Sequence, residues 1–321
     1  MGRVRYAVAA LVGCLLAGCG SLAMDIPVAS AAASVPSVNT GETSALTTST
    51  VTLKGSVDPH NQQTSGYFQY GQSAAYEAQT PTTSIGTGWQ TFHVTANLAG
   101  LVANTTYHYR FVAVNATGVA DGQDRTFTTK KIPLTFKLFA PKLTVFGSPF
   151  AVSGTLSGTG SANRAVVLEG SAFPFLSSFK VIGGAELTDA TGAFSFPAVN
   201  LSQTTQLRVA TVEKSPANSR PLLERIAVRV TLHVHATGRH GYVRMFGTVA
   251  PAQSLALVDF QLIRPHRKPV FAGNAVIRGR ATGVSHFNSV VHIRHAGSYR
   301  AFIQVSGGAV VSNHSRPIFI G

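Results

Sequence analysis

The stretch that decides the fold is Thr106-Tyr107-His108-Tyr109-Arg110-Phe111-Val112-Ala113-Val114-Asn115. Its two tyrosines, Phe111 and Ala113 alternate with His108, Arg110 and two valines, which is the two-residue period of a β-strand. Aromatic and β-branched residues dominate the stretch and favour strands. Turn residues close it at 115–118. The sequence therefore predicts a strand here, with a structural and not a catalytic role.

The rest of the chain repeats this kind of pattern. From Val51 onward, short alternating segments are separated by clusters of Gly, Pro, Ser, Thr and Asn. Long amphipathic helical patterns are missing from the sequence, and 45% of its 321 residues are hydrophobic. A chain of this length and composition has room for two or three domains with ordinary cores. We therefore expect an all-β protein with helix as a minor element.

An internal repeat indicates how the strands are grouped. Gly55-Ser56-Val57 is followed by Gly154-Thr155-Leu156 and then by Gly247-Thr248-Val249, at intervals of about 90–100 residues. Recurrence at this spacing predicts three tandem antiparallel β-sandwich domains of the immunoglobulin-like type, after a signal segment. The predicted domains are 36–130, 131–231 and 232–321.

The N-terminal residues are typical of a targeting segment. Arg3 and Arg5 precede an apolar run, and Leu16-Ala17-Gly18-Cys19 resembles a bacterial lipobox. Small residues there would let a signal peptidase reach the backbone, and Cys19 would carry the lipid. We predict a lipoprotein signal segment at 1–19 and a flexible tether at 20–35.

An alternative remains for this segment. A plain secretory signal would be cut after Ala29-Ser30-Ala31, which has the small-x-small form. Lipidation at Cys19 would give an exported lipoprotein on the outer side of the cell membrane, whereas cleavage after Ala31 would give a secreted protein. The only other cysteine is Cys14, so the mature chain has no pair for an internal disulfide.

Five fragments follow one another in order in the first predicted domain: Gly55-Ser56-Val57-Asp58-Pro59, Phe68-Gln69-Tyr70-Gly71, Leu98-x-x-Leu101, Thr105-Thr106-Tyr107-x-Tyr109-Arg110 and Thr126-Phe127-Thr128-Thr129. With these fragments, the domain resembles the fibronectin type III family as it occurs in actinobacterial secreted proteins. The resemblance implies that Tyr107 is a structural corner tyrosine whose hydroxyl bonds to the backbone near 98–101. Trp89 departs from the family pattern, because it lies in the loop before the Thr91 strand and not in an early core strand. We expect Trp89 to be buried, the alternative being an exposed binding platform.

A fragment of the second domain also carries a resemblance. Thr188-Asp189-Ala190-Thr191-Gly192-Ala193-Phe194-Ser195-Phe196 resembles the hairpin of carboxypeptidase-regulatory-like and related sandwiches. Asp189 and Gly192 would form the turn, and Phe194 and Phe196 would point inward.

The net charge of +14 increases along the chain. Residues 36–129 carry a net charge of −2, residues 130–231 of +6, and residues 232–321 of +9, with Asp259 the only carboxylate of the last segment. A cationic region of this kind favours contact with polyanions. The alternative is a soluble cationic surface with no polyanionic partner.

Two basic loops concentrate that charge. They are Arg264-Pro265-His266-Arg267-Lys268-Pro269 and Arg278-Gly279-Arg280. Guanidinium and ammonium groups neutralise phosphates and sulfates. The predicted polyanion-binding residues are Arg264, Arg267, Lys268, Arg278 and Arg280. Specific nucleic-acid binding is not expected because stacking aromatics do not alternate with these cations.

Catalytic and metal-binding patterns are weak. His233-x-His235 would place two rings on one strand face, with His240, His292 or His295 as a third zinc ligand. The third domain contains no cysteine and one carboxylate, which argues against a metal site and against a glycosidase pair. No phosphate loop, dinucleotide fingerprint or nucleophile elbow occurs. We expect no enzyme, no metal and no cofactor.

These patterns predict a non-catalytic binding or spacer protein of the bacterial cell envelope, membrane-anchored through Cys19. Its basic C-terminal half would contact an anionic cell-wall polymer or glycan. The alternative is an accessory carbohydrate-binding module of polysaccharide processing, since fibronectin III-like domains often accompany glycoside hydrolases. The partner itself and the oligomeric state do not follow from the sequence.

Overall fold

The computed structural model describes residues 33–253, 256–278 and 283–321. Their regular structure consists of strands, without an α-helix. Accordingly, these ranges contain no helix long and apolar enough to cross a membrane. The strands form six sheets that pair along the chain into three sandwiches. The predicted class, all-β with tandem antiparallel β-sandwiches, is confirmed. The signal segment 1–19, with Cys19, lies outside the described residues.

The first sandwich contains nine strands in two sheets. One sheet has the order β1-β2-β6, and the other has the order β4-β3-β7-β8 with β5 beside β3 and β9 beside β7. The strands are β1 Ser37–Thr40, β2 Val51–Asp58, β3 Thr64–Gly71, β4 Ala78–Gln79, β5 Thr83–Gly86, β6 Phe92–Leu98, β7 Thr106–Asn115, β8 Gly118–Asp121 and β9 Arg125–Thr128.

By their internal contacts the described residues divide into two compact units. The first unit comprises residues 33–42, 53–96 and 108–125, and the second comprises residues 43–52, 97–107 and 126–321.

The core of the first unit is built around β7. Phe111 is fully buried, and its ring centroid lies 4.9 Å from that of its cross-strand neighbour Phe68. Gly55 on β2 and Gly66 on β3 leave room for this ring, because a Cβ on either glycine would lie within 2.8 Å of it. The buried Tyr109 donates its hydroxyl hydrogen to the Gly41 carbonyl at 2.7 Å. The predicted inward face of β7 is confirmed.

In the second unit, the second sandwich pairs a sheet β10-β12-β15 with a sheet β11-β17-β16-β13-β14. Apolar side chains of β12 and β15 pack against those of β13 and β16. Phe194 and Phe196 point into this core, as predicted, and the Asp189 carboxylate accepts the Ala193 N–H in the turn before them. The strands are β10 Thr135–Phe139, β11 Leu143–Val145, β12 Phe150–Ser157, β13 Ala165–Ala172, β14 Lys180–Leu187, β15 Ala193–Val199, β16 Thr205–Thr211 and β17 Leu222–Ala227.

The third sandwich pairs a sheet β18-β20-β19, in which β23 also joins β20, with a sheet β22-β21-β24-β25, in which β26 joins β24. Met245, Phe260, Phe287 and Ile303 are among its most deeply buried core residues. The strands are β18 Arg229–Val230, β19 His233–Ala236, β20 Tyr242–Ala250, β21 Leu257–Leu262, β22 Val270–Val276, β23 Ser285–His292, β24 Gly297–Ile303, β25 Asn313–His314 and β26 Ile318–Ile320.

The chain passes between these two sandwiches through a buried segment. Ile226 and Val228 belong to the same core cluster as the third sandwich, although β17 pairs with β16 of the second. The Val228 N–H donates to the Val311 carbonyl at 3.1 Å. The connection is therefore part of the packed structure of the second unit.

Candidate functional site

The first basic loop forms the turn of a β-hairpin. The Leu262–Val270 pair closes the hairpin β21–β22, and Arg264, Arg267 and Lys268 lie exposed in the turn beyond it. The Arg267 N–H donates to the Arg264 carbonyl at 3.3 Å. The sequence thus places three cations on one short exposed turn.

Arg278, the described residue of the second basic loop, lies at the other end of the same hairpin. It follows β22, and its backbone exchanges two hydrogen bonds with that of His286, at 2.7 and 2.8 Å. A strand rises about 3.3 Å per residue, so the seven residues of β22 separate Arg278 from the first loop by roughly 20 Å. Arg278 therefore does not form one patch with Arg264, Arg267 and Lys268. Arg280 lies outside the described residues.

A cavity of about 330 Å³ lies beside the first loop. Its lining includes Arg264, His292 at the end of β23, and Arg294 and His295 from the segment that follows β23, all four of them exposed. Leu262 and Tyr299 contribute buried apolar surface, and Val270, Phe271 and Ala272 complete the lining. None of the lining residues that the structure describes carries a carboxylate.

Residues 292–299, which border the cavity, are held in place by ring and hydrogen-bond contacts. The His292 ring stacks on its cross-strand partner Tyr242, with centroids 4.7 Å apart. The Ile293 N–H donates to the Gly241 carbonyl at 2.7 Å, and the Tyr299 hydroxyl donates to the His295 carbonyl at 2.7 Å. Burial raises the pKa of Tyr299, because the phenolate form is poorly solvated there, so this donor stays protonated.

His292 and His295 were predicted only as possible zinc ligands, and neither Arg294 nor Phe271 was predicted as a site residue. The outward direction of Arg294 could have been predicted from the alternation Val291-His292-Ile293-Arg294. In the structure Val291 is buried and Ile293 packs against the core. The period of a strand then directs His292 and Arg294 outward. That the outward pair faces Arg264 follows only from sheet order.

The cations of the third sandwich have no acidic partners in the described part of the chain. Ion pairs among the residues in those ranges join side chains between residues 42 and 213. The first unit, for example, pairs Arg110 with Asp121 at 2.9 Å, and the second sandwich pairs Arg208 with Glu169 at 2.6 Å. The positive charge of the third sandwich is therefore available to an external anion.

The histidines of β19, His233 and His235, were considered above as zinc ligands, and in the structure they contact protein groups. His233 stacks on Phe246 with centroids 5.5 Å apart, and His235 Nδ1 lies 2.8 Å from the Ala236 carbonyl. Across residues 33–253, 256–278 and 283–321, no group of three His, Cys, Asp or Glu side chains is placed to hold a metal ion.

A polar network covers the outer face of β3 and β7. Asp124 accepts hydrogen bonds from the Tyr76 hydroxyl and from His108 Nδ1, at 2.7 and 2.8 Å. Desolvation acts against ionisation of Asp124, but these hydrogen bonds outweigh it and lower its pKa. Desolvation, together with the Asp124 carboxylate, raises the pKa of Tyr76 to about 12. The network ties the 72–77 loop to the sheet, and we assign it a structural role.

Two aromatic residues singled out in the sequence have different surroundings. Tyr107 is buried and stacks on Phe127, and its hydroxyl accepts the Val102 N–H at 3.0 Å, next to the predicted 98–101 segment. The predicted burial of Trp89 is wrong, because its side chain is 60% exposed. The loop is held by a hydrogen bond from the Asn61 N–H to the Gly88 carbonyl, and the ring lies near His60 on the surface.

Comparisons with known proteins do not assign a family. Neither a protein-family model nor a curated protein matches the sequence. Among solved structures, a marsupial T cell receptor aligns over 87% of this chain and 98% of its own, with 11% identity and a TM-score of 0.34. A titin I-band fragment, I67–I69, aligns over 88% and 96%, with 10% identity and a TM-score of 0.35. Likenesses this distant support no inference about activity or partner.

Proposed function

We propose that this chain is a non-catalytic protein of the bacterial cell envelope, exported and lipid-anchored at Cys19, whose third sandwich binds an anionic envelope polymer. The observation that carries the proposal is the unpaired positive charge of that sandwich. Its net charge of +9 includes one carboxylate, Asp259, and no ion pair occurs among its described residues. The first sandwich, with its fibronectin III-like sequence, would act as a spacer between the tether and the binding surface.

Long-range electrostatics explain why such a surface suits a polymer. Each exposed cation contributes little alone, about 0.2–1 kcal/mol, but a repeating anion engages several cations at once. Arg264, Arg267 and Lys268 occupy one turn and can contact successive anionic groups. The association should weaken steeply with added salt, because counterions compete for the same charges.

We expect the variant Arg264→Gln, Arg267→Gln, Lys268→Gln to bind long-chain inorganic polyphosphate about tenfold more weakly than the unchanged chain. Three exposed charge contacts of roughly 0.5 kcal/mol each account for that loss. Fluorescence anisotropy with labelled polyphosphate, at several salt concentrations, measures it. The matched control removes three exposed lysines elsewhere, Lys131→Gln, Lys142→Gln, Lys180→Gln. Equal losses in the two variants would exclude the turn as the binding surface.

The lipid anchor has its own test. In a bacterial host fed with a palmitate analogue, the full chain should incorporate the label and Cys19→Ala should lose it completely, because the thiol is the acylation site. Cys14→Ala, the matched control, should retain the label. Unchanged labelling of Cys19→Ala would contradict an anchor at Cys19. A full chain that incorporates no label would favour cleavage after Ala31, because the chain cut there contains no cysteine.

The exposed Trp89 favours a second candidate function, an accessory carbohydrate-binding module. The aromatic ring of Trp89 is 60% exposed, on a loop that a backbone hydrogen bond holds in place, and offers a flat apolar face to a sugar. Trp89 is the only tryptophan of the chain, so its fluorescence reports on this loop alone. A saturable emission change with neutral dextran, absent in Trp89→Ala, would support this candidate. No change with dextran would exclude that sugar as the ligand.

A further inference from the structure

We propose that the cavity formed by the end of the β21–β22 hairpin and residues 292–299 binds a phosphate ester of a compact organic molecule. The proposal rests on the proposed function, since it assigns to the cationic sandwich one defined site in addition to its charged turn. The site would recognise a single phosphorylated unit, whether free or at the end of a polymer.

The charges around the cavity favour a doubly negative group. Arg264 and Arg294 contribute two permanent positive charges, His292 and His295 add imidazole nitrogens, and no carboxylate contributes to the lining. Like charges that share one small cavity repel each other unless an anion lies between them. A phosphate monoester carries about −1.5 to −2 near neutral pH, which balances the two guanidinium groups. Guanidinium groups also match phosphate oxygens with paired donors.

The apolar part of the cavity favours an ester over the free ion. Among the apolar residues of the lining, Phe271 is 61% exposed and Val270 is 38% exposed, whereas Leu262 is buried. Exposed apolar surface next to fixed cations provides contact area for the carbon skeleton that carries a phosphate. A volume of about 330 Å³ lies at the small end of ligand cavities, which are roughly 300–1,000 Å³, and suits one sugar-sized unit.

The cavity differs from the charged turn in that contacts hold part of its lining in place before a ligand binds. Stacking of His292 on Tyr242 and the hydrogen bond from the Tyr299 hydroxyl to His295 hold the segment that carries Arg294. A held segment loses less conformational entropy when a ligand binds. Arg267, in contrast, lies on the exposed turn and does not contribute to the cavity lining.

Titration calorimetry on the full chain tests the site, with glucose 1-phosphate, inorganic phosphate and glucose as probes. We expect saturable binding of one glucose 1-phosphate per chain, weaker binding of inorganic phosphate and none of glucose. Arg294→Gln should weaken the binding of glucose 1-phosphate about tenfold or more, the loss expected from a charge-assisted hydrogen bond. Arg267→Gln, which removes the same charge from outside the cavity, should change it less than twofold. Phe271→Ala should weaken the binding of glucose 1-phosphate but not of inorganic phosphate.

Equal effects of Arg294→Gln and Arg267→Gln, or no saturable binding of glucose 1-phosphate, would overturn the proposal. Polyphosphate binding without glucose 1-phosphate binding would remove the cavity site and leave the proposed function in place. One-to-one binding of glucose 1-phosphate without polyphosphate binding would support the cavity and contradict the polymer partner.

Discussion

Replacing Phe111 with alanine is expected to lower the free energy of unfolding of the first unit by about 3–5 kcal/mol, the usual cost of deleting a buried phenylalanine side chain. Phe111 is fully buried, and its ring contacts Phe68 as well as the positions of Gly55 on β2 of the other sheet and Gly66 on the adjacent β3. Because Gly55 and Gly66 have no side chains, neither can fill the cavity left by the ring. The loss should therefore lie at the upper end of this range.

Hydrogen exchange measured by mass spectrometry checks this prediction, because protection of peptides from β3 and β7 reports the stability of this unit by itself. Ala116→Gly, in the turn after β7, is a control that keeps the Phe111 ring and should change protection by less than about 1 kcal/mol. Unchanged protection in Phe111→Ala would show that the ring does not anchor the core.

A coupled pair of substitutions tests the same contact more sharply. Gly66→Ala would place a Cβ 2.7 Å from Cζ of Phe111, so it should destabilise the unit by about 1–3 kcal/mol through overpacking. Phe111→Leu lacks Cζ and should make Gly66→Ala less costly. The double variant should therefore be more stable than the sum of the two single losses predicts. Strict additivity would contradict this account of the glycine.

The variant Glu224→Gln is expected to stabilise the second sandwich increasingly as pH rises. Glu224 is fully buried on β17, and its Oε1 accepts the Thr144 hydroxyl at 2.7 Å while Oε2 has no hydrogen-bond partner. Desolvation raises the pKa of Glu224 above its ordinary 4.5, against a smaller opposing effect of the Thr144 hydrogen bond.

The direction follows from proton linkage. The folded protein binds this proton more tightly than the unfolded chain, so the stabilising contribution is complete below the unfolded pKa. It is lost as pH rises through the raised folded pKa. Glutamine does not titrate. The stability difference between Glu224→Gln and the unchanged chain should therefore grow by at most about 1.4 kcal/mol per pH unit between those two pKa values, and then level off.

Scanning calorimetry across the range from about pH 4.5 to about pH 8.5 measures this difference. Glu42→Gln is the matched control, since it makes the same substitution at a side chain that is 89% exposed. A difference for Glu224→Gln that stays constant with pH, or that shrinks as pH rises, would contradict the raised pKa.

Several strands and their inward faces could be predicted from the sequence. Alternation over 106–115 predicted both the bounds of β7 and the burial of Tyr109 and Phe111, because successive side chains of a strand point to opposite faces. It also predicted the turn at Asp189 and the inward Phe194. Strands without strong alternation, such as β14 and β22, were not predicted, since the burial of their side chains depends on neighbouring strands.

Which side chains meet depends on how distant strands pack together. The β21–β22 hairpin separates Arg278 from Arg264, and the packing of the two sheets brings Arg294 beside Arg264 instead. Trp89 is exposed because a loop backbone contact fixes its position, and loop geometry has no periodic signal in the sequence. Local periodicity fixes the direction of a side chain relative to its own strand. The position of that strand relative to others depends on contacts between residues far apart in the chain.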